Sequence, residues 1–347
     1  MSSMNVLAFK GIGKIVMEQR PIPKISAPND VIVKVAACGI CGTDVKILEG
    51  KHAVGDNTVL GHEFCGTVEE IGSSVTSLKI GDRVAVDNSL RCGICEYCRS
   101  GQSSQCEWLK DKSIGIFQDG GYAEYTLLPE NACYKISDEI DDITGTQVET
   151  LGTVLNGMNI VQMQPYDTVV VLGFGPIGYL FNALAKNVAS KVMATEIDNF
   201  RIGVAKELGV PVFNQNETDI EKEVMAFTNG KGADIVIDAV GTQLENAIKY
   251  VAPAGKILAF GMDSSVKATI TPNTITRKAI KILGSYIGQN TILPAIKILQ
   301  SGKLNMKPFF TEVIDLKEGL TAFPKLGLDL ETQKHIPKKA MKIVIKP

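Results

Sequence analysis

The chain has 347 residues, which at about 150 residues per domain predicts about two domains, each able to bury a core. Its 36 lysines and arginines balance 38 aspartates and glutamates, so there is no positive excess to bind a nucleic-acid backbone. No secretory signal and no run of about 18 apolar residues is present, so we expect a cytoplasmic protein without a membrane partner. In that compartment the eight cysteines are expected to be metal ligands, catalytic groups or buried thiols rather than disulfides.

The first part of the chain, up to about residue 135, carries short β-branched runs at 30–35, 64–72 and 81–86, separated by glycine turn signals. This pattern predicts an antiparallel barrel or sandwich. Beyond about residue 153, apolar strands alternate with helix-like stretches. The predicted strands are 167–173, 191–196, 234–240 and 256–261, and the predicted helices are 177–189 and 199–208. Such alternation predicts a parallel, doubly wound sheet and therefore an α/β fold class.

Three segments far apart in the chain carry a possible catalytic metal site: CGTD at 41–44, GHE at 61–63, and VETLG, which contains Glu149. One thiolate, one imidazole and one carboxylate leave a fourth position open on a zinc ion, as catalytic zinc requires. Spacing alone does not join the three. Cys41 could equally be a core thiol, His62 a hydrogen-bonded histidine beside a strand, and Glu149 an acid at a helix start.

The segment RCGICEYCRSGQSSQC, residues 91–106, contains the densest group of possible metal ligands, Cys92, Cys95, Cys98 and Cys106. Four thiolates complete a tetrahedral zinc shell and leave no position for a substrate. The neighbouring residues are polar, which disfavours the alternative of buried free cysteines. The spacing therefore predicts a structural zinc site.

GFGPIG at 173–178 matches the G-x-G-x-x-G pattern between an apolar strand and a helix. Gly173 would make the tight turn, Gly175 would admit a pyrophosphate, and Gly178 would let helix and strand pack closely. We expect the phosphates at the N-terminus of this helix, at Pro176 and Ile177. Glu196, at the end of the next strand, would accept hydrogen bonds from the ribose and repel a 2'-phosphate, which favours NAD over NADP. Arg201 could lie along the adenosine half or on the surface.

These residues together resemble the zinc-dependent medium-chain alcohol and polyol dehydrogenases, over almost the whole chain. The shared segments, in the family's order, are AACGICGTDVKI, VLGHEFCGTVEEIG, GDRVAV, the four-cysteine segment, DGGYAEY (119–125), VETLG, VLGFGPIG and AMKIVIKP. The resemblance implies a GroES-like β-barrel catalytic domain with two zinc sites (1–152), a Rossmann NAD-binding domain (153–289) and a C-terminal return to the catalytic domain (290–347). It also implies a homodimer or homotetramer, with residues 282–288 as a candidate sheet edge.

The resemblance further assigns roles to single residues. Cys41, His62 and Glu149 match zinc ligands, and Glu63 matches a glutamate that can exchange onto the metal. Asp44 would orient His62, and Thr43 would take the alcohol proton. The implied reaction is oxidation of a secondary alcohol to a ketone, with hydride transfer to the nicotinamide.

The substrate is less clearly implied, because the arginine and tyrosine with which sorbitol dehydrogenases hold a polyol are replaced by Ile287 and Gly288. Ile47 and Phe117 would suit a small secondary alcohol, a diol or threonine. A group of lysines could instead bind a phosphate, as in galactitol phosphate dehydrogenases, and we favour a sugar alcohol or its phosphate. These lysines are Lys46, Lys51, Lys338 and Lys339.

Two other classes of protein remain as alternatives. A zinc-stabilised nucleotide-binding protein without catalysis would explain the four cysteines. A non-enzymatic zinc-binding or nucleic-acid module would not explain GFGPIG with Glu196, nor the near-neutral charge. A zinc-free quinone reductase of the same superfamily normally lacks the cysteine segment and the GHE motif, and it prefers NADPH.

Overall fold

The computed structural model describes residues 3–347, which form two compact units. The first unit runs to Gly152 and resumes over Gly288–Pro347, and the second is Thr153–Ile287. The strands of the described chain are β1 (Ser3–Gly11), β2 (Lys14–Pro21), β3 (Asp30–Gly39), β4 (Glu63–Ile71), β5 (Arg83–Val86), β6 (Tyr125–Pro129), β7 (Cys133–Lys135), β8 (Thr168–Leu172), β9 (Lys191–Glu196), β10 (Val212–Asn214), β11 (Ala233–Asp238), β12 (Val251–Ala259), β13 (Lys281–Gly284), β14 (Phe310–Asp315) and β15 (Lys342–Lys346).

The helices of the same residues are α1 (Gly42–Leu48), α2 (Glu96–Arg99), α3 (Asp142–Gly145), α4 (Val148–Val161), α5 (Pro176–Ala185), α6 (Asn199–Glu207), α7 (Ile220–Phe227), α8 (Leu244–Tyr250), α9 (Pro272–Lys278), α10 (Ile292–Gln300) and α11 (Ala322–Lys325). Within residues 3–347, no helix combines the length and the apolar character that crossing a membrane requires.

The first unit is built on a seven-stranded sheet in the order β14-β15-β3-β4-β5-β7, with β6 also paired to β3, and on the β1-β2 hairpin. Its pairs are antiparallel except for β14-β15, which is parallel. The predicted antiparallel β fold is therefore confirmed, with one parallel pair that the pattern did not indicate. Apolar side chains of these strands form one core, which includes Ile40 and Leu60 from the segments that carry Cys41 and His62.

The second unit contains a six-stranded sheet in the order β10-β9-β8-β11-β12-β13, and all its pairs are parallel. The chain moves outward from β8 to β10 and then returns to build β11 to β13 on the other side of β8, as in a doubly wound fold. The carboxyl end of β8 is thus a topological switch point, where such sheets bind ligands. GFGPIG follows β8 directly. The predicted parallel sheet is confirmed.

Candidate active site

The four cysteines of residues 91–106 converge in the first unit, and their sulfur atoms all lie within 4.8 Å of one another. The backbone N–H groups of Cys92 and Cys95 donate to the sulfurs of Cys106 and Cys92 at 3.2 and 3.3 Å. Backbone hydrogen bonding, chiefly from Cys98, lowers the pKa of Cys95 to about 6, so this group holds a thiolate at neutral pH. Four sulfurs with N–H donors that favour thiolates fit a tetrahedral zinc ion.

In the second unit, GFGPIG forms a tight turn between β8 and α5. Gly173 has a φ of +95°, and a Cβ at Gly178 would stand 2.0 Å from the Gly173 carbonyl oxygen, so both positions require glycine. Gly175 is the N-cap of α5, Pro176 is the first helical residue and Ile177 the second. The N–H groups at this helix start have no partner inside the helix, and their geometry suits a pyrophosphate.

Glu196, the last residue of β9, borders this turn. One carboxylate oxygen accepts the N–H of Phe174 at 2.9 Å, and the other accepts the N–H groups of the two residues that follow Glu196, at 2.7 and 3.0 Å. The Arg201 guanidinium lies 3.9 Å from the carboxylate and only 3.0 Å from where a Cβ of Gly175 would be. The structure thus brings both predicted residues to the glycine turn.

Cys41, His62 and Glu63 form a second group in the first unit, and one ligand atom from each lies within 4.8 Å of the others. Cys41 caps α1, while His62 and Glu63 stand at the start of β4. Because β3 and β4 pair antiparallel with Gly39 opposite Glu63, the chain leaving β3 passes beside the start of β4. His62 and Glu63 are buried and Cys41 is half-buried.

Asp44 connects two members of this group. It is fully buried; its Oδ2 accepts the Cys41 N–H at 2.8 Å and the Tyr122 hydroxyl at 2.8 Å. Its Oδ1 lies 3.5 Å from Nδ1 of His62. Burial opposes protonation of His62, but the Cys41 thiolate and Asp44 outweigh it and raise the pKa of the histidine. Negative charge is therefore concentrated around the His62 ring, where a cation would be stabilised.

Glu63 is held from the other side by Lys342, which is 1% exposed. The Lys342 ammonium contacts Oε2 of Glu63 and donates to the Ile40 carbonyl at 3.1 Å, and the Gln147 amide lies 3.4 Å from the same Oε2. Burial raises the pKa of Glu63, but Lys342 and then His62 outweigh it, so the pKa lies below its usual value. Glu63 is therefore an ionised carboxylate.

Two buried polar atoms of this group, Nδ1 of His62 and Oε1 of Glu63, make no hydrogen bond within the described chain. Such an atom costs free energy when it is buried without a partner. A cation beside Oε1 would offset that cost. A sulfur, an imidazole nitrogen and a carboxylate oxygen are donors that zinc accepts, so the residues present fit a zinc ion.

The remaining predicted residues differ in their burial. Glu149 is half-buried in the first turn of α4; burial raises the pKa of its carboxyl to about 7, and His62 and Glu63 act on it electrostatically. Thr43 is half-buried in α1, and Phe117 is half-buried against the core. Ile47 has no exposed surface and lies inside that core.

Three residues that contact the site had no role in the sequence prediction. Lys342 and Gln147 contact Glu63, and Tyr122 contacts Asp44. The sequence offered one signal, since Lys342 interrupts the apolar run of AMKIVI. A charged residue at a core position of a strand needs a buried partner. Nothing in the sequence identified that partner as Glu63.

Two family models match this chain. The family model described as alcohol dehydrogenase GroES-like domain matches residues 27–138, and the model described as zinc-binding dehydrogenase matches residues 176–301. D-xylulose reductase A of Aspergillus oryzae (strain ATCC 42149 / RIB 40) is 33% identical over 339 residues, covering 93% of this chain and 94% of that protein.

Two solved structures extend the likeness to the whole chain. A Sinorhizobium meliloti 1021 protein bound to NADP has a TM-score of 0.91 and 28% identity, and covers 100% of both chains. An alcohol dehydrogenase from Escherichia coli CFT073 complexed with NADH has a TM-score of 0.89 and 30% identity, with the same coverage. The two neighbours differ in the nicotinamide cofactor that they hold.

Proposed function

Since the chain belongs to the zinc-dependent medium-chain dehydrogenases, and is an alcohol or polyol dehydrogenase that uses zinc and a nicotinamide cofactor, we propose that it interconverts an unphosphorylated polyol and its ketose with NAD. The observation that carries the proposal is the group of Cys41, His62 and Glu63 with its unpartnered Glu63 oxygen. The name of the A. oryzae relative supports a ketose of the D-xylulose type.

The proposed catalytic zinc is held by Cys41, His62 and a glutamate. Glu63 supplies that glutamate in the arrangement described, because its Oε1 accepts no hydrogen bond within residues 3–347. Glu149 is the candidate to replace it, since a buried carboxyl with a pKa of about 7 gains from a nearby cation. A second zinc ion, bound by the four cysteines of 91–106, has a structural role.

In the proposed reaction the Thr43 hydroxyl accepts the proton of the substrate hydroxyl and passes its own proton on toward solvent. Asp44 keeps His62 in one orientation, and Lys342 keeps Glu63 ionised. When bound, zinc supplies a Lewis acid for the substrate oxygen and the nicotinamide accepts the hydride. Phe117 offers the substrate an apolar wall. The alcohol thus loses one proton to the protein and one hydride to the cofactor.

NAD is proposed over NADP because of Glu196. Its carboxylate is fixed at the glycine turn by three backbone N–H groups, so it cannot swing away from a cofactor bound there. A 2'-phosphate beside it would meet a like charge, which disfavours NADP. Arg201 lies 3.9 Å from Glu196, and its charge is partly offset by that carboxylate.

An unphosphorylated substrate is proposed because Lys51, one of the lysines that could bind a phosphate, already contacts a carboxylate. The Glu49 carboxylate contacts the Lys51 ammonium at 3.2 Å and Nε2 of His335 at 2.9 Å. A phosphate binds best to free donors with no carboxylate between them. Glu49 would repel a phosphate at this place.

We also propose a homodimer formed through β13. This strand ends the six-stranded sheet, so its outer edge has no partner strand within the described residues. Ile282 and Tyr286, on and just after it, are 37% and 42% exposed. An unpaired edge with apolar side chains can pair with a second copy. The Ser285 N–H donates to Ala259 of β12, so by alternation the N–H of Ile282 faces the outer edge. An Ile282→Pro variant should then have half the mass of the wild type in light scattering, whereas equal masses would contradict this interface.

The proposal is tested with purified protein by NADH oxidation with D-xylulose and NAD reduction with pentitols. Sorbitol, pentitol phosphates, 2,3-butanediol and threonine serve as competitors in the same assay. We expect kcat/KM to be at least about tenfold higher for an unphosphorylated pentitol or its ketose than for these competitors. A preference for a phosphate or a diol would overturn the substrate, and a preference for NADPH would overturn the cofactor.

Metal analysis tests the two sites separately. We expect two zinc ions per wild-type chain, and one in each of the variants Cys41→Ser and Cys95→Ser. Equal zinc contents in Cys41→Ser and wild type would overturn the catalytic site.

A further inference from the structure

The segment DGGY, residues 119–122, runs along the residues that precede His62. The backbone N–H groups of 120, 121 and 122 donate to the carbonyl oxygens of 59, 61 and 60, at distances between 2.7 and 3.0 Å. Oδ1 of Asp119 accepts the N–H of Val59 at 2.8 Å. The path of the chain into His62 is therefore set by this segment.

The ring of Tyr122 packs against Gly61, the residue that precedes His62. Gly61 has a φ of +92°, and a Cβ there would stand 2.5 Å from Cδ1 of Tyr122 and 2.7 Å from the sulfur of Cys38. Only glycine fits under the ring at this φ. Tyr122 is fully buried, so its ring is fixed over Gly61 and limits the positions that the His62 backbone can take.

The hydroxyl of the same tyrosine acts on the other side of the site. It donates to Oδ2 of Asp44 at 2.8 Å, and this oxygen also accepts the N–H of Cys41. Burial and then the Asp44 charge raise the pKa of Tyr122 well above its usual value, so the hydroxyl stays a donor. With Oδ2 held by two donors, Oδ1 remains directed at Nδ1 of His62, 3.5 Å away.

We infer that Tyr122 is a positioning residue for the catalytic metal, because it touches Gly61 through its ring and Asp44 through its hydroxyl. This inference rests on the proposed role of Cys41 and His62 as ligands. This role acts through Asp44 and Gly61 and requires no contact between Tyr122 and the substrate or the metal. It fixes the two ligands relative to each other, so that the site is formed before the metal binds.

The test compares Tyr122→Phe with Tyr125→Phe as a matched control. The control tyrosine lies on β6, three residues along, and packs against the same core, but its hydroxyl is not in the Asp44 network. Zinc-loaded protein is mixed with excess EDTA, and zinc release is followed with a colorimetric indicator. Two sites should release zinc in two kinetic phases. The phase that is absent in Cys41→Ser is assigned to the catalytic site.

For Tyr122→Phe we expect zinc release from the catalytic site to be about tenfold faster than in wild type. This is the smaller end of the range seen when a residue that supports a metal ligand is removed. Release from the four-cysteine site and the thermal midpoint of unfolding should stay near wild type. Tyr125→Phe should match wild type in both phases. Unchanged catalytic-site release in Tyr122→Phe, or equal acceleration of both phases, would overturn the inference.

A double-variant comparison checks the route through Asp44. If the hydroxyl acts by holding this carboxylate, Tyr122→Phe should change the rate of zinc release little in an Asp44→Asn background. The effects of two substitutions are not additive when the residues act through the same interaction. Full additivity would overturn the route. Failure of the proposed function has a different signature, namely that Cys41→Ser releases zinc in the same two phases as wild type.

Discussion

The two groups of metal-ligand residues in the first unit are built in opposite ways. The four cysteines lie within residues 92–106, and backbone N–H groups of the same segment donate to their sulfurs. The second group is dispersed, since its members Cys41, His62 and Glu63 lie at the starts of α1 and β4. The side chains that hold them come from three other places in the chain, namely Asp44, Tyr122 and Lys342. The positions of the ligand atoms in a local group depend on the conformation of its own loop. In a dispersed group they depend on the packing of the whole unit.

This difference also separates what each group can do. Four sulfurs close the metal shell, and three donors leave it open to a substrate. The dispersed group can keep an open position only because outer side chains hold its ligands in place without the metal's help. Pre-organisation of that kind is what a reacting site requires.

We expect the largest effects on turnover and stability when one ligand of each group is removed, because the two groups should then fail in different ways. Cys41→Ser should lower kcat/KM by at least about a thousandfold, or ~4 kcal/mol of transition-state stabilisation, since the Lewis acid is lost. Its thermal midpoint should stay close to that of the wild type. Cys95→Ser should instead lower the midpoint and promote aggregation, with turnover retained by the fraction that stays folded. A stable, assembled Cys95→Ser protein without turnover would contradict the division of roles.

The next effect concerns the outer partners of the dispersed group. Lys342→Met leaves the Glu63 carboxylate buried without its cation, and breaking such a pair costs about 3–5 kcal/mol of the free energy of unfolding. Urea unfolding, followed by the fluorescence of the single tryptophan Trp108 in the first unit, measures the change. Lys346→Met, at an exposed position of the same strand β15, is the control.

A second variant tests whether the loss arises from the unpaired charge. Glu63→Gln combined with Lys342→Met removes both charges and should recover most of the stability. A Lys342→Met protein within about 1 kcal/mol of wild type would show that Glu63 does not depend on the lysine.

Glu196 extends the comparison to the second unit, because its buried carboxylate accepts hydrogen bonds from three backbone N–H groups. Glu196→Gln keeps a carbonyl acceptor but removes the charge that would repel a 2'-phosphate. The ratio of kcat/KM for NAD over NADP should therefore fall about tenfold, which corresponds to ~1.4 kcal/mol. Glu207→Gln, at the exposed end of α6, should leave the ratio unchanged. An unchanged ratio in Glu196→Gln would assign cofactor choice to other residues.

The same contrast explains which features could be predicted from the sequence. The four-cysteine group and the glycine turn are contiguous, so spacing alone revealed them, and the two sheet types followed from residue periodicity. The contact between Lys342 and Glu63 spans 279 residues, and that between Tyr122 and Asp44 spans 78. Such contacts, like the parallel β14-β15 pair, arise from the packing of distant strands, which no local pattern specifies.

The last prediction concerns thiol titration rather than a variant, and it tests whether the backbone of the four-cysteine segment itself favours a thiolate. In metal-free protein, hydrogen bonding chiefly from the Cys98 N–H holds the pKa of Cys95 at about 6, below the ordinary 9.0. The folded protein thus favours the thiolate more than the unfolded chain does. The resulting stabilisation is full above the unfolded pKa and is lost as the pH falls through about 6.

Alkylation by iodoacetamide, read out residue by residue with mass spectrometry, measures this titration because only the thiolate reacts. We expect the rate at Cys95 to rise with a midpoint near pH 6. Cys133, whose pKa burial raises to about 12, should stay unreactive at neutral pH. A Cys95 midpoint near the ordinary value would mean that the loop backbone does not favour the thiolate by itself. The local group would then, like the dispersed one, depend on contacts from outside its own segment.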